Sequence, residues 1–165
     1  MTTTTVEALA KWFPEINAFR DRQENAIDRL LHDQSALLLM PTGAGKTLTY
    51  QLPVLQKGGI SLVISPLIAL MREQVEKLTT RGIGAVALGG LDPAEAQAAL
   101  ARFPWESGAG FLFTSPERLE TDGFLEHVLN AHRQRIVQVT IDEAHCISQW
   151  GHDFRPAYKA LPRFL

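Results

Sequence analysis

Ser35-Ala36-Leu37-Leu38-Leu39-Met40-Pro41-Thr42-Gly43-Ala44-Gly45-Lys46-Thr47 is the stretch from which the fold can be read. Its first six residues form a short apolar run, the pattern of a strand buried inside a sheet. Glycines then bracket a sharp turn, and a helix is expected from about Lys46 to Gln56. Glycines let successive backbone N–H groups turn inward on a phosphate without Cβ clashes. The positive end of the following helix adds to the attraction. Thr42, Gly43, Ala44 and Gly45 would cradle a triphosphate, Lys46 would neutralise its outer phosphates, and the Thr47 hydroxyl would ligate Mg²⁺. The general pattern G-x-x-x-x-G-K-[ST] asks for glycine at position 40, where this chain has Met40, so the strict match fails by one residue.

Working outward, strands and helices alternate. Val6 to Phe13 is a short amphipathic stretch ended by Pro14, behind a threonine run that reads as a frayed tail. A helix is expected from Gln23 to His32, with Ala26, Ile27, Leu30 and Leu31 on one face. Beyond the glycine turn, strands are expected at Ile60–Ser65, Gly84–Leu88, Phe111–Thr114 and Ile136–Ile141. Ser65-Pro66 and Ser115-Pro116 each place a capping serine before a proline at the first helical position. Asp92 with Glu95 has capping-box spacing, and Glu73 can pair with Lys77 one turn on. A last helix is expected over Phe124–His132. This alternation predicts an α/β fold with a mostly parallel sheet covered by helices on both faces. Ligands of such sheets sit at the carboxyl ends of the strands, where the unusual residues of this chain fall.

The second informative stretch is Ile141-Asp142-Glu143-Ala144-His145-Cys146-Ile147-Ser148-Gln149-Trp150-Gly151-His152-Asp153-Phe154-Arg155-Pro156. An Asp at the end of a buried strand can hold Mg²⁺ through its water shell. The adjacent Glu can orient and deprotonate an attacking water. Combined with Lys46-Thr47, the acid pair is specific for a nucleoside triphosphatase. Aromatics among cations in the loop beyond suggest stacked bases. His127 and His132 read as solvated. Cys146, His145 and His152 lack zinc-site spacing, so Cys146 reads as packed.

Composition sets bounds. The chain has 165 residues, 45% hydrophobic and 21% charged, with one cysteine. One domain with its own core is expected, without a disulfide framework. A net charge of −2 argues against a broadly basic nucleic-acid surface, so any such contact must be local. Neither a secretory signal nor a membrane span is visible, and no membrane partner is expected.

These motifs together carry a family resemblance. Asp142-Glu143-Ala144-His145 resembles the Walker B box of superfamily-two helicases, and Cys146 to Pro156 resembles the aromatic-rich loop of RecQ-family DNA helicases. Phe19-Arg20 with Gln23 resembles the family's adenine-reading motif. Met40 to Thr47 resembles its phosphate loop, in which methionine is usual at the first position. Ser65 to Met71 and Ser115 to Leu119 resemble its first two DNA-strand motifs. The resemblance runs from residue 12 almost to the end and implies a RecA-like P-loop NTPase lobe that uses ATP and Mg²⁺.

It implies that Gln23 reads the adenine edge with two hydrogen bonds while Arg20 packs on the base. Lys46, Asp142 and Glu143 would be catalytic, and Thr47 and Asp142 would hold the metal. Ser65, Pro66 and Ser115 would meet the DNA backbone, and His145 would couple nucleotide to DNA. Trp150, Phe154 and Arg155 would sense single-stranded DNA. The implied activity is 3′-to-5′ ATP-dependent unwinding of single-strand-tailed duplex DNA in repair or recombination. A bacterial protein of this kind would be cytoplasmic and nucleoid-associated, a eukaryotic one nuclear.

Two departures qualify the resemblance. The aromatic-glycine pair that often precedes the adenine motif has no counterpart in Trp12-Phe13-Pro14-Glu15-Ile16. The family also continues with a strand inserted between the strands of the phosphate loop and the acid pair, and with a second lobe bearing an arginine finger. Residues 1–11 are therefore expected to be a flexible tail or short helix, and 12–165 a first RecA-like lobe incomplete at its C-terminus. Such a lobe alone would bind ATP weakly and unwind nothing. Two alternatives are an RNA-directed DEAD/DEAH-type ATPase and a non-catalytic ATP- or DNA-binding fragment.

Overall fold

The computed structural model describes residues 4–20, 22–41, 43–121, 123–147 and 157–158. Seven α-helices are described: α1 (Thr5–Trp12), α2 (Gln23–Leu31), α3 (Lys46–Lys57), α4 (Ile68–Thr80), α5 (Pro93–Arg102), α6 (Pro116–Thr121) and α7 (Gly123–Ala131). They surround four strands, β1 (Gly59–Ile64), β2 (Gly84–Ala87), β3 (Ala109–Thr114) and β4 (Ile136–Ile141), ordered β2-β3-β1-β4 and parallel throughout.

Alternation along the strands divides the core in two. Val63, Phe111 and Phe113 face one side, where Leu9, Ile27, Leu48, Leu52 and Met71 pack on them. Ile60, Leu62, Ile64 and Leu112 face the other, against Leu100, Leu119, Leu125 and Leu129. A strand buried on both faces has no polar side to spare, which is why β1 and β3 read as continuous apolar runs. The expected parallel α/β sheet is thus observed.

Several helix ends follow their expected chemistry. Asp92 and Glu95 form a full capping box, Ser115 Oγ accepts from Arg118 N at 3.2 Å, and Lys77 pairs with Glu73. Thr4 departs from the frayed-tail reading. It caps α1 in a capping box with Glu7, and Ala8 and Leu9 are buried, so this helix belongs to the packed unit. Ser65 departs from its reading as a cap. The helix after it begins only at Ile68, while Ser65 Oγ accepts from Leu67 N at 3.4 Å ahead of the helix and donates to the Asp142 carboxylate. His132 is stacked face to face on Trp105, with centroids 4.0 Å apart, rather than solvated. No helix among the described residues is long and apolar enough to cross a membrane.

The strand expected at Ser35–Met40 does not form. The segment pairs with no strand among the described residues, and Leu37 and Leu39 are 82% and 85% exposed. Its apolar pattern is that of a strand, but a strand exists only through a hydrogen-bonded neighbour. The nearest candidate, β4, faces it across a cleft of about 320 Å³ lined by Ala36 to Met40 on one wall and Gln138 to His145 on the other. β4 pairs with β1 on one edge and is open to this cleft on the other, so it is half-buried where β1 is fully buried.

β4 also carries one residue more than β1 over the same span. Ile60 pairs with Ile136 but Ser61 with Gln138, leaving Val137 as the extra residue of a bulge.

Candidate active site

The carboxyl ends of β1 and β4 and the start of α3 converge on one point. Gly43, Gly45, Lys46, Thr47, Ser65, Asp142 and Glu143 together line a cleft of about 270 Å³. Gly43 and Gly45 have φ of 78° and 85°, the left-handed region that glycine occupies without cost.

Gln23 sets the loop from behind. Its Nε2 donates to the carbonyls of Ala44 (3.2 Å) and Gly45 (3.0 Å), and its Oε1 accepts from Arg20 N at 2.7 Å. In a trans peptide the N–H points opposite to the C=O. Holding these two carbonyls therefore turns the N–H groups of Gly45 and Lys46 the other way. A Cβ on Gly45 would lie 2.5 Å from Gln23 Nε2, so this contact also requires glycine there. The structure engages Gln23 differently from the adenine-edge expectation: the residue is buried and its amide is filled by backbone partners. Arg20 is exposed beside it. Thr42 lies outside the described residues.

Asp142 is held at its backbone and both carboxylate oxygens. Its N–H donates to Ile64 O at 2.8 Å, extending the β1–β4 ladder. Oδ2 accepts from Ser65 Oγ at 3.3 Å, and Oδ1 accepts from Glu143 N at 3.0 Å. Its own carbonyl accepts from the Tyr158 hydroxyl at 3.0 Å. Glu143 follows in the left-handed region, with φ of 52°, and its carboxylate lies 3.1 Å from His145 Nδ1. That contact is an ion pair only when the imidazole is protonated.

Three of these residues carried no expectation from sequence. Gln138 ties the sheet to α3, donating from Nε2 to Tyr50 O (2.9 Å), Thr140 Oγ1 (3.0 Å) and Ser61 Oγ (3.4 Å). A glutamine inside an otherwise apolar strand was the available signal. Tyr50, one turn beyond Thr47, lines both clefts. Burial and the nearby Asp142 carboxylate push its phenol well above the usual tyrosine range, so it stays protonated. Tyr158 gave no signal at all.

Ser65 and Pro66, expected at the DNA, are buried, and Ser115 is half-buried. Leu67, next to them, is exposed. His145 is exposed and sits on Glu143, while Cys146 is packed as expected. Trp150, Phe154 and Arg155 lie outside the described residues.

The donor set fits a phosphate-bound cation better than a protein-only cage. Among the described residues no cluster of three or more His, Cys, Asp or Glu side chains could hold a metal alone. Thr47 and Asp142 line one cleft beside the glycine turn, which suits a hard cation that takes its remaining ligands from phosphate and water.

Known proteins resemble this chain in sequence and in fold. The chain is 43% identical over 144 residues to the ATP-dependent DNA helicase RecQ of Haemophilus influenzae, covering 87% of this chain and 23% of that protein. It is 40% identical over 154 residues to the ATP-dependent DNA helicase hus2/rqh1 of Schizosaccharomyces pombe, covering 88% of this chain and 12% of that protein. The chain thus spans a quarter or less of the length of these relatives. A crystal structure described as a hypothetical ATP-dependent RNA helicase from Sulfolobus tokodaii superposes with a TM-score of 0.64 at 24% identity, over 86% of this chain and 42% of that one, and shares the fold. The model of the DEAD/DEAH box helicases matches residues 20–165, most of the sequence, and the chain belongs to that family.

Proposed function

We propose that this chain is the ATP-binding lobe of a RecQ-type DNA helicase, and that it binds ATP with Mg²⁺ and hydrolyses it in response to single-stranded DNA. The observation that carries this reading is the meeting of Lys46 and Thr47 with Asp142 and Glu143 in one cleft. The relatives' printed names supply the DNA substrate class.

The loop backbone around Gly43 to Lys46 binds the phosphates, with N–H groups aimed by Gln23. Lys46 neutralises charge that builds on the outer phosphates. Thr47 and Asp142 would hold a Mg²⁺ ion, which would supply Lewis-acid polarisation of the terminal phosphate. Glu143 takes a proton from the water as its oxygen attacks the γ-phosphorus, and the bond to the β–γ bridging oxygen breaks. His145, on Glu143, is the contact through which the DNA side of the lobe would reach the base. Gln149 to Arg155 would supply that DNA side, and 3′-to-5′ strand separation would follow in the whole protein.

We also propose that residues 12–165 form a first RecA-like lobe whose sheet is completed by a further strand in the cleft between Ala36–Met40 and β4. Its backbone would satisfy the open edge of β4, and its side chains would cover Leu37 and Leu39.

The test is ATP hydrolysis measured with single-stranded DNA, with RNA and with neither, alongside nucleotide affinity. Stimulation by DNA alone supports the reading, and stimulation by RNA alone replaces it with an RNA-directed ATPase. ATP binding with no turnover under any condition makes the chain a binding module.

A further inference from the structure

Asp142 and Glu143 are joined by a peptide group that the fold grips from both sides. Its N–H, on Glu143, donates to Asp142 Oδ1, and its C=O, on Asp142, accepts from the Tyr158 hydroxyl, each at 3.0 Å. The residue just beyond this peptide is Glu143, whose φ of 52° is one that a side chain bearing a Cβ keeps only when its surroundings over-determine it. Tyr158 is 2% exposed and packs in the cluster that contains Ile64, Leu125 and Cys146. Cys146 N in turn donates to Glu143 O at 2.9 Å, so the peptide after Glu143 is held as well. The phenol ring is thus anchored in the core, and its hydroxyl bonds the carbonyl whose rotation would move Glu143.

We infer that Tyr158 is a positioning residue for hydrolysis, its hydroxyl fixing the Asp142–Glu143 peptide so that the Glu143 carboxylate stays on the nucleotide cleft. The inference rests on the hydrolytic role proposed for Glu143. Without that hydrogen bond the carbonyl side of the peptide loses its partner, only the Glu143 N–H bond to Asp142 Oδ1 still holds it, and Glu143 is freer to relax toward an ordinary negative φ. Lys46 and the glycine turn, which bind the phosphates, are untouched.

Tyr158→Phe removes one oxygen and keeps the ring. Three quantities are compared with the unaltered chain: ATP affinity, turnover with saturating single-stranded DNA, and amide hydrogen exchange over Asp142–Cys146. The expected result is a fall in turnover of about ten- to hundredfold, the scale of a small misplacement of a reacting group. ATP affinity is unchanged, and exchange in the turn is faster. Unchanged turnover and exchange overturn the inference. So does a loss of ATP affinity that tracks the loss of turnover, because Tyr158 would then serve packing alone. If the unaltered chain binds ATP without hydrolysing it, the proposed function fails by itself. The exchange comparison then decides whether Tyr158 holds this turn.

Discussion

Ser65 and Asp142 share a hydrogen bond at the tops of neighbouring parallel strands, with Ser65 Oγ 3.3 Å from Asp142 Oδ2. The same hydroxyl accepts from Leu67 N at 3.4 Å, where the chain turns toward α4 and presents exposed Leu67. One buried serine therefore touches both the carboxylate expected at the metal and the segment expected at the nucleic acid. Ser65→Ala removes the donor without enlarging the side chain. The expected outcome is unchanged ATP affinity and reduced stimulation of turnover by single-stranded DNA, read from paired ATPase assays. Equal stimulation in both proteins would remove Ser65 from the coupling route.

Glu143→Gln and Lys46→Ala should separate binding from chemistry. The glutamine cannot accept the proton of the attacking water, so turnover should fall by about 10²–10⁴ while ATP still binds. Lys46→Ala removes the charge facing the phosphates and should weaken binding itself. Fluorescent-nucleotide titration beside steady-state hydrolysis distinguishes the two patterns.

Gln23→Ala strips the loop of its support. Two loop carbonyls and the Arg20 amide lose their partner at a buried position, which should cost about 1–3 kcal/mol of stability and weaken ATP binding. Gly45→Ala should do comparable harm through its φ of 85° and its contact with Gln23. Thermal unfolding with and without ATP measures both terms. An unchanged unfolding temperature in Gln23→Ala would show that the loop keeps its shape unaided.

Much of the fold was legible because its signals are local. The continuous apolar runs of β1 and β3, the capping box at Asp92 and Glu95, and the glycines of the phosphate turn each need only neighbours in sequence. Ser35–Met40 misled because an apolar run records what a strand would bury, whereas the strand itself depends on a partner elsewhere. At the site, Lys46, Thr47, Asp142 and Glu143 announced themselves by residue type. The residues that aim them did not. The bonds of Gln138 and Tyr158 to Tyr50 and Asp142 are made by ordinary polar side chains, and no spacing rule encodes them.

Leu37→Ser with Leu39→Ser tests the open cleft. Both side chains are largely exposed, so the double change should alter stability by no more than about 0.5 kcal/mol per site. Self-association should decrease, since an apolar segment beside an open strand edge invites pairing. Thermal unfolding and light scattering check the two statements. A large loss of stability would mean that the segment is packed in solution.

Asp33 offers a pH test. The Lys57 ammonium, hydrogen-bonded to it, holds its carboxyl below the ordinary value of 3.8. A depressed folded-state value makes its contribution present above the unfolded value and lost as pH falls through the folded one. Carboxyl NMR should place the Asp33 midpoint below that of an unpaired aspartate, and Lys57→Met should restore it. Added salt should act in the same direction, because the pair is largely exposed.

The spare residue at Val137 bears on how this site is built. β4 is fixed at both ends: Arg135 donates to the carbonyls of Trp105 and Gly108 below, and Asp142 meets Ile64 and Ser65 above. Side chains on a strand alternate, so a slip of one position would turn Gln138 and Thr140 away from α3 and send apolar groups in their place. The bulge works like the slack in a timing belt. It lets the lower anchor be set by packing and the upper one by chemistry, without either dictating the phase of the other.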